Sequence, residues 1–537
     1  MQGTMMSYPL TLVPILERAG KLFGQVEIVS LRPDKSLHRY TYADLYRRAR
    51  LLAEALTRAG LRRGDRVATL MWNHHTHLEA YLGVPVAGGI VHTLNLRLHP
   101  AELAYIVNHA GDRFLIVDEL LLPLYEQFRN DVRIERVIVN RAAQPSSASG
   151  DEDYEQFVGQ ARGDFAYPRI DETQAAAMCY TSGTTGKPKG VLYSHRAIVL
   201  HSFAECLPDA FGVCQHDVLT MVVPMFHANA WGMPFTATMA GAKQVLIGNH
   251  FDPESVLDLF HSEGTTLSGG VPTIWIGIVD ALEKNPGRWK LAPGLRVAVA
   301  GSAAPESLIR RLDRHGMRAI QLWGMTETTP LATTAGLKRT MAALPEDQRY
   351  AIRTKQGMPA PFVEIRAVGM EGEVPWDGKS AGELHVRGPW VAGSYYNLPE
   401  AADRWTPDGW FRTGDMVTID PEGYIRIVDR AKDMIKSGGE WISSVDLENA
   451  LMGHSAVKEA CVIGVPHPKW QERPLAVVVL RDGACVTAEE LRAFLAGRFA
   501  KWQLPDAFVF AAEIPRTSAG KFLKSRLRER YAAWQWE

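Results

Sequence analysis

Apolar positions along the first part of the chain switch between two spacings. Leu45, Ala49, Leu52, Ala53 and Leu56 fall three or four apart after Thr41-Tyr42-Ala43-Asp44, which predicts an amphipathic helix starting there. Gly60 and Gly64-Asp65 end that helix and turn the chain into a strand over 66–72. Helices are expected over 10–22 and 77–88, and strands over 25–31 and 90–93. This alternation predicts a layered α/β domain. A second series runs to about Ala304, with strands at 175–180, 218–223, 244–247 and 297–300. From Gly382 the runs shorten to strands at 382–387, 409–413, 416–419 and 424–428, separated by turns. The stretch 429–433 is dense in charge and has no apolar period. The boundary is placed there: residues 1–429 as a large domain, 430–433 as a hinge, and 434–537 as a small α+β domain. Residues 142–153, rich in Ala, Ser, Gln and Gly, read as an exposed loop.

Composition narrows the class. A chain of 537 residues, 46% hydrophobic and 22% charged, has the profile of a soluble globular protein of more than one domain. A net charge of −1 gives no general attraction to nucleic acid or anionic membranes. The five cysteines form no Cys-x-x-Cys pair, so neither a disulfide framework nor a zinc site is expected, and a reducing cytoplasmic setting fits. Cys179 reads as a small core residue. The first residues lack a charged stretch followed by an apolar run and a small-residue cleavage site, so no secretory signal is expected. The apolar run 221–242 carries Pro224, His227, Asn229 and Pro234, which suits a buried substrate wall better than an integral membrane segment.

The chemistry concentrates between Tyr180 and His195. Three glycines (Gly183, Gly186, Gly190), four hydroxyls (Thr181, Ser182, Thr184, Thr185) and two lysines (Lys187, Lys189) fall within this stretch. Glycines let backbone N–H groups converge on an anion, and the hydroxyls and ammonium groups add donors and charge. The spacing is not that of a Walker A loop, because two residues rather than four separate Gly183 from Gly186-Lys187. A strand before the loop and a helix-compatible run over 191–200 after it give the expected setting for a phosphate site.

Further motifs follow in order. Pro224-Met225-Phe226-His227-Ala228-Asn229-Ala230-Trp231 places one histidine in an apolar segment. Gly301-Ser302-Ala303-Ala304-Pro305 ends a strand. Then come Gln321-Leu322-Trp323-Gly324-Met325-Thr326-Glu327, Thr413-Gly414-Asp415, Asp429-Arg430-Ala431-Lys432-Asp433, Lys436-Ser437-Gly438-Gly439-Glu440-Trp441, and Gly520-Lys521 near the C-terminus. Together with the glycine loop these resemble the adenylate-forming superfamily of acyl-CoA synthetases, luciferases and peptide-synthetase adenylation domains, from about Thr41 to Arg528.

The resemblance implies an α/β fold with a large layered N-terminal domain, βαβ subdomains and a small barrel-like part, plus a small mobile α+β C-terminal domain. It implies ATP, Mg²⁺ and coenzyme A. Thr181, Ser182, Gly183, Thr184, Thr185, Gly186 and Lys189 would hold phosphates. Gly301, Ser302, Ala303, Gln321, Leu322, Trp323, Gly324 and Met325 would line the adenine, with Trp323 replacing the family's tyrosine and losing any hydroxyl contact. Thr326 would touch the α-phosphate, and Glu327 with Thr181 would take the metal. Asp415 would accept the ribose hydroxyls, helped by Arg430, with Lys432 at the hinge. Lys436, Gly438, Gly439 and Trp441 would serve the nucleotide and the thioester step. Ala228, His227, Trp231, Gly301 and Pro330 would border acid and nucleotide, with Trp231 able to gate an acyl tunnel. Lys521 would act as a positioned charge between carboxylate and α-phosphate.

The expected activity is an AMP-forming carboxylic acid–CoA ligase working through an acyl-adenylate. The segments 438–449 and 467–474 look most like bacterial medium- and long-chain fatty-acid–CoA ligases. Short-chain acids such as methylthio-propanoate and aromatic acids remain alternatives, as do loading of a carrier protein and a non-catalytic nucleotide sensor. Some members of the superfamily pair into homodimers.

Overall fold

The computed structural model describes the whole chain except residues 142–150, 182–186, 431–432, 438–439, 518–519 and 537. Two large sheets carry the N-terminal part. One runs Glu152–Asp153, Arg136–Asn140, Asp112–Asp118, Arg66–Leu70, Ile90–Thr93, Ala175–Tyr180, Gly190–Ser194, parallel except for its last pair. The other has nine strands. Its parallel middle, Arg318–Gly324 to Glu27–Leu31, is closed at each edge by antiparallel strands. Parallel strands need helical crossovers, and these bury both faces of each sheet. Helix Tyr42–Arg58 begins with a Thr41/Asp44 capping box and buries Leu45, Ala49, Leu52, Ala53 and Leu56.

The barrel-like part is a five-stranded antiparallel sheet, Gly372–Glu373, Glu364–Gly369, Gly382–Arg387, Phe411–Ile419, Ile425–Arg430. Strands expected separately at 409–413 and 416–419 are one strand, Phe411–Ile419, irregular near Met416/Val417. Gly414, with φ 76°, supplies the left-handed bend that carries the chain through without a break.

Sheet membership changes between Arg430 and Ile435. From Ile435–Ser437 onward the strands form a separate sheet with Glu440–Ile442, Gln471–Leu480, Val457–His467 and Ala507–Phe510. Its two faces alternate along Val457–His467. Ala460 and Val462 meet the helices Ser444–Met452 and Ala488–Ala496, while Cys461, Ile463 and Val465 join Ile514 and Leu527.

Candidate active site

The glycine loop does not open a helix. Val191, Leu192 and Tyr193 continue as the strand Gly190–Ser194, antiparallel to Ala175–Tyr180, and the helix starts only at His195, capped by Ser194. Branched and aromatic side chains favour the strand over the expected helix at 191–200. The strands on either side of the loop pair as a hairpin. Its neck is closed by the Thr181 N–H donating to the Lys189 carbonyl at 2.9 Å and the Lys189 N–H donating to Thr181 Oγ1 at 3.2 Å. Ser182, Gly183, Thr184, Thr185 and Gly186 lie outside the described residues, as do Lys432, Gly438 and Gly439.

Above this neck a cavity of about 690 Å³ gathers side chains from both domains. Thr181 and Lys189 reach it from the hairpin, and His227, Ala228 and Trp231 from the apolar segment. Gly301, Ser302, Ala303, Leu322, Trp323, Gly324, Met325, Thr326, Glu327 and Pro330 reach it from the nine-stranded sheet. Asp415 and Arg430 enter from the five-stranded sheet, and Lys521 from the C-terminal domain.

One corner is built on a ladder pair. Asp415 faces Arg430 across adjacent strands, with Arg430 Nε 3.3 Å from Asp415 Oδ1. The other oxygen, Oδ2, accepts the Trp323 indole N–H at 2.9 Å. Trp323 was expected only as a stacking ring; its N–H also fixes the acceptor carboxylate. Gln321 plays a different part from the one expected. Its side-chain oxygen accepts the Ala304 N–H at 2.7 Å and its amide donates to the Thr354 and Lys355 carbonyls. It braces the Gly301–Ala304 turn rather than lining the cavity.

Glu327 lies in the short turn Thr326–Thr328, only 4% exposed. Its Oε1 accepts the Tyr395 hydroxyl, and its carbonyl accepts the Ala392 N–H. The Tyr193 hydroxyl donates to the Thr326 carbonyl at 2.7 Å. Burial, and then the Glu327 charge, push the Tyr395 phenol far up, so it stays a donor. The Lys189 ammonium sits 5.0 Å from the centroid of the same ring. Tyr395 was missed in the sequence. The Tyr-Tyr at 395–396 in a turn-rich stretch gives no periodic signal.

Among the described residues no group of three or more His, Cys, Asp or Glu could cage a metal. One carboxylate with a hydroxyl nearby fits a Mg²⁺ that keeps water and phosphate oxygens as its other ligands. Glu327 and Thr181 both line the cavity and would offer such a donor set.

Lys521 follows a tight turn bridged between Arg516 and Phe522. The Thr517 N–H donates to the Lys521 carbonyl at 2.7 Å and the Lys521 N–H to Thr517 Oγ1 at 3.1 Å. Its stem passes Gly301, whose φ is 89°; a Cβ there would lie 3.4 Å from Lys521 Cε and 2.9 Å from Val271 Cγ1. Burial and the Arg430 charge lower the ammonium pKa to about 8, against the pull of Asp415 and Glu327.

On the opposite wall the chain folds left-handed. Ala228, Asn229, Ala230 and Trp231 have φ between 42° and 58°, and Gly232 follows at 78°. Each non-glycine residue in this region costs about 1–2 kcal/mol. The turn is held by Cys179, whose thiol donates to Asn229 Oδ1 at 2.8 Å, and by the Ala230 N–H donating to the His227 carbonyl. Cys179 is buried, and burial raises its thiol to about 11, so it packs and donates rather than attacks. Burial, then the Lys521 and Arg97 charges, lower His227 to about 4, which keeps its imidazole neutral.

Lys436 and Trp441 lie outside the cavity, on the paired strands Ile435–Ser437 and Glu440–Ile442, with Lys436 Nζ 5.6 Å from the exposed indole. The domain junction is sealed nearby. Asp429 Oδ2 accepts the Ser444 N–H at 2.8 Å and the Ser444 hydroxyl, and Arg528 pairs with Asp433 at 2.7 Å, while on the C-terminal side of it Lys524 pairs with Glu448 at 2.8 Å.

A carboxylate and arginine beside an indole, a second buried carboxylate, and a lysine from the C-terminal part of the chain thus meet in one cavity. Residues 17–396 match the AMP-binding enzyme family, and 446–521 match the AMP-binding enzyme C-terminal domain. The chain belongs to that family. A long-chain-fatty-acid–CoA ligase of Thermus thermophilus is 52% identical over 98% of this chain and 97% of its own. A 3-methylmercaptopropionyl-CoA ligase of Ruegeria pomeroyi is 43% identical over 99% of both chains. A medium-chain-fatty-acid–CoA ligase of Ectopseudomonas oleovorans is 41% identical over 99% of this chain and 98% of its own. A benzoate CoA ligase structure from Burkholderia xenovorans superposes with a TM-score of 0.83 at 25% identity, covering 96% of this chain and 99% of that one. Within the family the chain thus stands among the acyl-CoA ligases. No helix among the described residues is long and apolar enough to cross a membrane.

Proposed function

We propose that the protein is an ATP-dependent, AMP-forming ligase that joins medium- to long-chain fatty acids to coenzyme A in the cytoplasm. The observation that carries this reading is the arrival of Lys521 in one cavity with Glu327, the Asp415–Arg430 pair and the apolar wall of Trp231.

A carboxylate is a poor electrophile because its leaving group would be oxide. Attack of the acid's oxygen on the ATP α-phosphorus forms an acyl–phosphate bond and breaks the bond to the β-phosphate bridge, releasing pyrophosphate. Mg²⁺ supplies charge neutralisation on the phosphates when held by Glu327 and Thr181. Asp415 accepts the ribose hydroxyls while Trp323 and Arg430 hold its two oxygens in place. The Lys521 ammonium, which lines the cavity, would stand between the two anions and stabilise charge in the transition state without transferring a proton. The CoA thiolate then attacks the acyl carbon and AMP leaves. Lys521 occupies the cavity while Lys436 and Trp441 stand outside it. The second step therefore calls for residues 434–537 to turn about the 430–433 hinge.

Pyrophosphate release, measured with ATP, Mg²⁺ and acids from acetate to palmitate plus benzoates, with and without CoA, tests the reading. Release confined to medium and long chains and accelerated by CoA is the expected result. Release that ignores CoA points to another thiol acceptor, and none at all to a nucleotide sensor.

A further inference from the structure

One carboxyl in the cavity has no part in the adenylation chemistry. Glu205, on the helix His195–Cys206, lines the same cavity as Lys521 and Trp231 and is fully buried. Its Oε2 accepts the Thr236 hydroxyl, whereas Oε1 has no hydrogen-bond partner among the described residues. The neighbouring charge that could balance it is absent from the imidazole beside it. His201 lies with Nδ1 3.9 Å from Glu205 Oε2, and its Nε2 accepts the Leu331 N–H at 3.1 Å, which requires a free lone pair and hence a neutral ring. Burial lowers His201 to about 3 and pushes the Glu205 carboxyl well above the usual range. A buried polar atom left unpaired is costly, and a water, an ion or a ligand group can complete it.

The placement ties this carboxyl to the acid rather than to the nucleotide. A Cβ on Gly232, at the end of the left-handed turn that carries Trp231, would lie 3.6 Å from Glu205 Oε2 and 2.6 Å from His201 Cε1. Phe211 and Leu331 are apolar neighbours in the same cavity lining. We infer that Glu205 forms a polar end to the acyl pocket and selects acids that carry a hydroxyl on the carbon farthest from the carboxylate. A hydroxyl can donate to Oε1 as a carbonyl oxygen or accept from it as an O–H, so it satisfies the carboxyl in either proton placement. A methyl end leaves Oε1 unpaired and is disfavoured, as in sites built to bond a substrate hydroxyl. This inference rests on the ligase reading above.

The test compares ω-hydroxyalkanoates with alkanoates of equal length, from four to twelve carbons, by kcat/KM for pyrophosphate release. At the length that spans the pocket the hydroxy acid is expected to be favoured by about tenfold. The preference is expected to survive in Glu205→Gln and to vanish or reverse in Glu205→Met. Equal or better turnover of the alkanoate at every length in the unmodified protein overturns the subsite, with no variant needed. So does a preference that persists in Glu205→Met. Turnover of both series without preference sinks the subsite alone, whereas no turnover of any acid sinks the ligase reading and the subsite with it.

Discussion

The two sides of the cavity are built on different principles. The side proposed for the nucleotide is a set of charged and hydrogen-bonded groups on regular strands and short turns. Asp415 and Arg430 are ladder neighbours, Trp323 ends a strand, and Glu327 is pinned by Tyr395. The side proposed for the acid rests on a strained left-handed turn over a helix that presents two buried polar groups, His201 and Glu205. A reaction centre that handles one fixed cosubstrate can be rigid and standard. A wall that has to shape itself to one acid uses backbone conformations few sequences tolerate.

Substitutions can separate the two principles. The largest effect is expected on the charged side. Lys521→Ala should slow adenylate formation by about 10²–10³-fold, the range for losing one positioned charge or donor. Conversion of supplied acyl-adenylate to acyl-CoA should be spared, and single-turnover assays of each half-reaction would show it. Equal loss in both, with the fold intact, would refute the role given to Lys521. On the strained side the expected loss is in stability. Gly232→Ala puts a Cβ 2.6 Å from His201 Cε1 at φ 78° and should cost about 3 kcal/mol by chemical denaturation, from clash and conformation together. An unchanged denaturation midpoint would mean that the turn relaxes.

Finer probes sharpen the charged side further. Trp323→Phe keeps a ring and removes the N–H on Asp415, so the KM for ATP should rise about tenfold with kcat little changed. An unchanged KM would leave the indole as a stacking surface only. The smallest effect is in pH. The Lys521 ammonium, lowered to about 8 in the free enzyme, is charged below that value and neutral above it. The kcat/KM for adenylation should therefore fall as pH rises through about 8, to about half at that point. A flat profile up to pH 9 would show that the lysine stays charged.

The same contrast explains what the sequence disclosed. Helix Tyr42–Arg58 was readable because its burial follows the helical period, and the parallel strands because they are short, almost fully buried apolar runs between turns. Asp415, Glu327 and Lys521 stood out because each sits in a short motif, and the structure brings all three to one cavity. The strand at Gly190–Ser194 was taken for helix because a glycine loop suggested a helix N-terminus, and local β-propensity was given too little weight. Tyr395, Glu205 and the indole bond to Asp415 depend on contacts between residues 31 to 92 positions apart, and no local pattern encodes those.

The junction around Asp429 bears on time rather than on affinity. Asp429 belongs to the last strand of the five-stranded sheet, and its carboxylate accepts both the N–H and the hydroxyl of Ser444 beyond the hinge. Lys524, three residues after Lys521, donates to the same Ser444 hydroxyl. Burial opposes its charge, but Glu448 and Asp429 outweigh that and hold its pKa above the ordinary value. If residues 434–537 turn as a body, the withdrawal of Lys521 and the parting of Ser444 from Asp429 are one event. The junction then acts as an escapement. It holds the reactive lysine in place until the catch slips, and the rate at which the catch slips sets the interval between the first reaction and the second.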